Sequence, residues 1–254
     1  MSGEWKTPNG QTGSRPEPAR DALTTHSIET LRTARYLTLG GPPPEGLPAE
    51  DSGGVREVWL ACHGYGQSAA RWARHFEPLA SAERLIVVPE ALSKFYLDDR
   101  YQRVGASWMT RENRESEVAD QIRYLDAVMT EACGRAGVDL GSVRLVGFGF
   151  SQGTATIMRW LERSALAAQR PRRANRVILW GGRVPTDLDL AAQRPWLEQA
   201  DLHIVAGDRD AVATPGRVIA QETALREAGI PYRTITFSGE HRLNARVLAD
   251  LGVL

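Results

Sequence analysis

The 254-residue sequence predicts an α/β fold in which helices cover both faces of a mostly parallel central sheet. Two observations support this prediction. Short runs rich in Val, Ile and Leu, four to seven residues long, have the pattern of strands that are buried on both faces. Between them lie longer segments whose apolar residues recur at helical spacing. Strands that alternate with helices need crossover connections, which favour parallel pairing.

The predicted elements follow in chain order. Residues 31–39 form a strand candidate, and residues 40–54 form a loop because their prolines and glycines disfavour both ladders and helices. Further strands are predicted at residues 57–62, 84–88, 143–148, 176–180, 202–206 and 232–237, and helices at residues 117–132, 157–168, 217–228 and 243–251. About twenty residues separate the strands at 176–180 and 202–206, too few for a large helical cap.

Composition limits the domain count and the class of protein. With 42% hydrophobic residues, one domain over residues 26–254 can form a core, whereas residues 1–25 have the composition of a disordered tail. Lys plus Arg and Asp plus Glu both number 31, a balance that argues against a nucleic-acid partner. No apolar run is long enough to span a membrane, and the N-terminus lacks the apolar segment of a secretory signal. Because two cysteines, Cys62 and Cys133, cannot form a disulfide framework, we expect a cytoplasmic protein.

A candidate nucleophile follows the strand predicted at residues 143–148. Residues 149–153 read G-F-S-Q-G and lead into a helix, which is the G-x-S-x-G pattern in its expected strand–turn–helix context. The small residues two before and two after Ser151 allow a sharp turn that exposes the hydroxyl. The helix N-terminus beneath it favours developing negative charge. The alternative is a plain or phosphate-binding βα turn. We predict that Ser151 is a nucleophile.

The general base is predicted by elimination among five histidines. In this architecture the chain order is serine, acid, histidine. His26, His63 and His75 precede the serine, and His203 lies inside a strand before any loop acid that could orient it. His241 follows the last predicted strand, where a loop histidine would face the serine.

Two aspartates are candidates for the acid that orients the histidine. Asp208 and Asp210 both follow the strand at residues 202–206. Asp208 lies next to the exit turn at Gly207 and has the position of a turn-capping residue. Asp210 lies two residues further on, with room to reach toward the histidine loop.

The oxyanion hole is predicted from an early glycine-rich turn. Residues 63–66 read H-G-Y-G directly after the strand at residues 57–62. Such a turn can aim the Tyr65 N–H at a reacting carbonyl oxygen, and the Gln152 N–H would be the second donor. His63 has no second His or Cys at metal-ligand spacing, so we predict no metal site.

Together these residues resemble the α/β-hydrolase fold, and more narrowly the phospholipase/carboxylesterase group that also contains acyl-protein thioesterases. The matching features are residues 63–66, 149–153 and 181–185 together with the Asp210 and His241 loops, and the resemblance covers about residues 55–251. It implies a Ser-Asp-His esterase with a small-molecule ester substrate and no metal or organic cofactor. The G-x-x-D spacing of the group favours Asp210. The chain departs from the group's usual pattern after Asp210 and directly before His241, where Glu240 replaces the second glycine.

Residues 91–111 add a further candidate feature. This segment follows a strand at the predicted site and carries Phe95, Trp108 and Met109, which could form a pocket wall for an apolar substrate group. The alternative is a long loop that buries its aromatic residues for its own stability.

The predicted function is hydrolysis of carboxylic esters through an acyl-enzyme on Ser151. A thioesterase or lysophospholipase is the alternative within the same fold. A non-catalytic receptor that uses the hydrolase pocket is the alternative from another class, since a fold does not determine a function.

Overall fold

The computed structural model describes residues 24–42 and 54–253. The predicted disordered tail and the predicted loop at residues 40–54 therefore lie mostly outside the described residues. The chain divides into two units, Met1–Thr33 and Ala34–Leu254. In the first unit, the described residues 24–33 contain neither helix nor strand.

The second unit contains all the regular elements of the described chain. The strands are β1 (Tyr36–Gly40), β2 (Glu57–Cys62), β3 (Arg84–Pro89), β4 (Ser93–Tyr96), β5 (Val104–Ser107), β6 (Arg144–Phe150), β7 (Arg176–Trp180), β8 (Asp201–Gly207) and β9 (Arg233–Phe237). The helices are α1 (Ala69–Ala73), which continues into a 3₁₀ turn (Arg74–Leu79), α2 (Arg114–Arg135), α3 (Gln152–Arg163), α4 (Ala165–Ala168), α5 (Leu190–Leu197), α6 (Pro215–Glu227) and α7 (Ala245–Leu251).

Seven strands form the central sheet in the order β1-β3-β2-β6-β7-β8-β9. All neighbours pair in parallel except β1, which lies antiparallel to β3 at one edge. The prediction of a mostly parallel sheet is confirmed. The first strand begins at Tyr36 rather than at residue 31, because residues 31–33 are exposed and the pairing with β3 begins at Tyr36.

The core has two layers because side chains alternate along the buried strands. Val58 and Leu60 of β2 face one layer, which receives apolar residues of α2, α3 and α6. Trp59 and Ala61 face the other layer, which contains Trp72 of α1 and residues of α7. Helices therefore cover both faces of the sheet, as predicted.

One feature of the chain departs from a minimal pattern of alternating strands and helices, and one predicted absence can be checked. Residues 91–111 contain a separate antiparallel hairpin of β4 and β5 rather than an irregular loop. The fully described connection between β7 and β8 carries only α5, so no large cap stands there. Within the described residues, no helix is both long and apolar enough to cross a membrane.

Candidate active site

Ser151 lies at a strained point of the backbone between β6 and α3. Its φ of 52° and ψ of −114° fall in a region that L-residues rarely occupy. Neighbouring groups hold this conformation: the Ser151 N–H donates to the Trp180 carbonyl at 2.8 Å, and the Thr154 hydroxyl donates to the Ser151 carbonyl at 2.7 Å. The backbone of this turn is therefore held by contacts to β7 and to α3.

The loop after β2 packs directly on this turn. A Cβ at Gly153 would lie 2.3 Å from the Cys62 carbonyl oxygen, so only glycine fits at this contact. On the same side, a Cβ at Gly64 would lie 3.2 Å from the Cβ of Ser151. The two glycine-containing segments that the sequence analysis selected are thus brought together.

His63 anchors the loop after β2 to the next strand connection. The Ala91 N–H donates to His63 Nε2 at 3.1 Å, so this nitrogen is the acceptor and Nδ1 carries the hydrogen that faces the Gly64 carbonyl at 2.8 Å. The Trp108 indole N–H donates to the His63 carbonyl at 2.8 Å. His63 is fully buried, and this burial lowers the pKa of its imidazole to about 4. The ring is therefore neutral and structural at neutral pH.

Two backbone N–H groups, one in the loop after β2 and one at the start of α3, have no acceptor among the described residues. In the loop after β2, Gly64 N–H donates to the Gln67 side chain and Gly66 N–H donates to the Ala106 carbonyl. Tyr65 N–H has no acceptor in the part of the chain that the structure describes. The Gln152 N–H, at the start of α3, is likewise unpaired within the described chain. Both are the donors that the sequence analysis proposed for an oxyanion.

The Gln152 side chain links α3 to the segment after β5. Its Nε2 donates to the Met109 carbonyl at 2.8 Å, and its Oε1 accepts from the Trp108 N–H at 3.0 Å. Because this side chain is tied down on both atoms, it orients the start of α3 relative to the hairpin.

Asp210 and His241 form a hydrogen-bonded pair beside the turn. Asp210 Oδ2 lies 2.8 Å from His241 Nδ1. Asp210 Oδ1 accepts from the Val212 and Ala213 N–H groups, each at 2.7 Å. The carboxylate is buried, at 3% exposure, and all its contacts suit the ionised form.

The His241 ring lies next to the residue that precedes Ser151. It stacks on the Phe150 ring with a centroid separation of 4.8 Å. The Trp180 indole N–H donates to the Arg242 carbonyl at 3.0 Å and so ties the histidine loop to β7.

Asp208 makes a different contact. Its Oδ1 accepts from the Gly239 N–H at 2.9 Å, and its side chain is 45% exposed. The capping role expected for Asp208 is therefore directed at the loop that carries His241, rather than at its own turn.

A cavity of about 380 Å³ opens beside Ser151. Its lining includes Met109, Thr154, Gly182 and Val212. Of the pocket residues predicted from residues 91–111, Met109 lines this cavity. Trp108 lies buried against His63, at a centroid separation of 5.0 Å, and Phe95 lies against Tyr65 at 5.1 Å.

Four arginines of the cavity lining were not selected by the sequence analysis. They are Arg114, Arg159, Arg183 and Arg217. They come from α2, α3, the loop after β7 and α6, and no common spacing connects them in the sequence.

Other reactive side chains lie in the core. Cys62 is fully buried in β2, and burial raises the pKa of its thiol well above the usual value. His203 is 4% exposed in β8, and its Nε2 lies 2.9 Å from Asp201 Oδ2. Neither residue lines the cavity beside Ser151.

Comparisons with known proteins define the fold further. No family model and no curated protein matches the chain. Among solved structures, esterase PE8 has a TM-score of 0.60 and 20% identity, covering 87% of this chain and 97% of its own. Zea mays acyl-protein thioesterase 2 has a TM-score of 0.58 and 16% identity, with 87% and 96% coverage. The Bacillus cereus carboxylesterase has a TM-score of 0.57 and 13% identity, with 86% and 92% coverage.

The chain has the α/β-hydrolase fold. The resemblance drawn from residues 63–66 and 149–153 is therefore confirmed for the architecture. In this α/β-hydrolase fold, the strained turn, the Asp210–His241 pair and the cavity all lie beyond the carboxyl ends of parallel strands, where sites form in open α/β sheets.

The lowered pKa of His63 predicts a pH dependence of stability. The pKa is about 4 in the folded protein and about 6.5 in the unfolded chain, so the unfolded state binds more protons between these values. The contribution of His63 is complete above pH 6.5 and falls by about 3 kcal/mol as the pH drops toward 4. We expect His63→Gln to remove this part of the dependence.

The measurement is urea unfolding of both proteins at several pH values from 7.5 to about 4. As the pH falls, the free energy of unfolding should decrease more for the wild-type protein than for the variant. The other titrating groups are common to both proteins, so their effects cancel in the difference. Two parallel curves would contradict a neutral buried His63.

Proposed function

We propose that this protein is a serine hydrolase that cleaves carboxylic esters through an acyl-enzyme on Ser151. The observation that carries the proposal is the buried Asp210 carboxylate, 2.8 Å from His241 Nδ1, beside the strained turn at Ser151. A carboxylate in this position orients the imidazole and stabilises its protonated form, which is what an activating base requires.

In the proposed first half-reaction, Ser151 Oγ attacks the acyl carbon and His241 Nε2 accepts the serine proton. Asp210 accepts the hydrogen bond from His241 Nδ1–H and opposes the developing positive charge. The Tyr65 and Gln152 N–H groups stabilise the oxyanion, a role supported by their lack of other acceptors in the described chain. His241 gives the proton to the leaving oxygen, so the leaving group departs as an alcohol and the acyl group stays on Ser151.

In the second half-reaction, His241 removes a proton from water, which attacks the acyl carbon. The intermediate collapses, the acid product leaves and the proton returns to Ser151. His63 stays outside this proton transfer because both its ring nitrogens have structural hydrogen bonds.

The names of the similar structures support this substrate class, since they include an esterase and a carboxylesterase. The likeness to an acyl-protein thioesterase supports thioesters as a second candidate class. Both use the same acyl-enzyme chemistry, and they differ only in the leaving group.

The first prediction concerns the nucleophile. We expect Ser151→Ala to lower kcat on 4-nitrophenyl acetate by about 10⁴ or more, because the acyl-enzyme can no longer form. A fluorophosphonate probe should label the wild-type protein and not this variant. Ser81→Ala changes an exposed serine outside the cavity and serves as the matched control, with wild-type turnover and labelling.

Near-normal turnover by pure, folded Ser151→Ala would refute the assignment. If the folded wild-type protein neither turns over esters nor reacts with the probe, a non-catalytic receptor is the better account.

The second prediction separates the two aspartates. Asp210→Asn presents an amide to His241 and favours the imidazole tautomer that cannot accept the serine proton, so we expect kcat to fall by at least about 10². Asp208→Asn keeps an acceptor for the Gly239 N–H, so its effect should be limited to about 1 kcal/mol of stability. The two kcat values are compared on one soluble ester, after unfolding curves have shown that both variants are folded. If Asp208→Asn lowers kcat strongly and Asp210→Asn does not, the roles of the two aspartates must be exchanged.

A further inference from the structure

Among the described residues, the lining of the cavity beside Ser151 contains several basic residues and no acidic residue. Four arginines contribute to its lining, at positions 114, 159, 183 and 217, and among the described residues no Asp or Glu does. Between them lie apolar side chains, including Met109 and Val218. These four arginines therefore line the same cavity as the candidate nucleophile.

Two of the four arginines form ion pairs with carboxylates that do not line the cavity. Arg159 is almost fully buried and donates to both carboxylate oxygens of Asp187, at 3.0 Å and 2.7 Å. Arg114 donates to the same carboxylate at 3.0 Å and lies 3.3 Å from Glu115. These contacts form a fixed ion-pair network at one wall.

The other two arginines have no carboxylate partner in the described part of the chain. Arg217, in the first turn of α6, donates to the Val212 carbonyl at 2.8 Å. The Arg183 side chain makes no hydrogen bond or ion pair to any described residue. The Arg183 carbonyl oxygen lies 3.1 Å from the Thr154 hydroxyl, close to the start of α3. Both cations stand at the cavity with donors that no described carboxylate occupies.

We propose that the substrate carries a carboxylate on the part that occupies this cavity, and that Arg183 and Arg217 bind it. The proposal rests on the ester hydrolysis proposed above and specifies its substrate class. Guanidinium groups pair with carboxylates through two parallel hydrogen bonds, so they select for an ionised group in this position. A neutral ester would cover the apolar lining and leave both arginines without an anion. Hydrolysis then yields either a dicarboxylate and an alcohol or a hydroxy acid and a simple acid.

The test uses two pairs of esters that differ in one charge. Monomethyl adipate and methyl adipamate differ on the acyl side, and 4-acetoxybutanoate and 4-acetoxybutanamide differ on the alcohol side. The measured quantity is the ratio of kcat/KM for the charged member to that for the neutral member. We expect a ratio of about 10 or more in at least one pair, reduced by added salt and expressed mainly in KM.

The variants compare arginines inside and outside the cavity. The double variant Arg183→Gln/Arg217→Gln should lower this ratio about tenfold. The double variant Arg56→Gln/Arg172→Gln removes the same charge from exposed residues that precede β2 and β7. These residues lie at the amino-terminal ends of the strands, whereas the cavity lies beyond the carboxyl ends, so this variant should keep the wild-type ratio.

A ratio near one in both pairs, or a high ratio that survives in Arg183→Gln/Arg217→Gln, would overturn the proposal while ester hydrolysis itself stands. If the wild-type protein hydrolyses none of the four esters, calorimetric titration with adipate decides. Binding that Arg183→Gln/Arg217→Gln loses supports the arginine site independently of catalysis, and absence of adipate binding to the wild-type protein refutes it.

Discussion

The backbone of Ser151 is the constraint around which this end of the molecule is built. A residue with φ 52° and ψ −114° is stable only where its surroundings determine its position, and here three connections do so. The Trp180 carbonyl holds its N–H, the Thr154 hydroxyl holds its carbonyl, and Gly153 lies against the Cys62 carbonyl. The carboxyl ends of β2, β6 and β7 are thereby joined at one point, and Ser151 lies there partly exposed.

Further polar contacts hold the loops around Ser151 in place without taking part in the proposed chemistry. His63, neutral and buried, joins the loop after β2 to Ala91, and the Gln152 amide joins α3 to the segment after β5. Asp208 ties the exit of β8 to Gly239 in the histidine loop. Each contact uses a polar side chain to connect two segments that the sheet alone does not join, so the proposed triad and its donors have defined positions.

Much of the fold follows from sequence because buried parallel strands are short apolar runs. The runs at residues 57–62 and 176–180 coincide with β2 and β7. The β4–β5 hairpin was not predicted as strand, because β4 alternates between half-buried and exposed positions and β5, with the sequence V-G-A-S, has no apolar run. Neither strand pairs with the central sheet. Asp210 and His241 could be predicted as site residues because each follows a strand that the sequence pattern indicates. The four cavity arginines could not be predicted from the sequence, because they come from four separate elements. A single arginine in a sequence is usually a solvated surface residue.

The central claim is that Ser151 becomes covalently acylated during ester turnover. Rapid mixing with 4-nitrophenyl acetate, acid quenching and intact-mass measurement, followed by peptide mapping, tests it most directly. The account predicts a burst of 4-nitrophenol equal to the enzyme concentration, a mass gain of one acetyl group and its location on Ser151. A burst of 4-nitrophenol with no acetyl group on Ser151, or with the acetyl group on another residue, would contradict it.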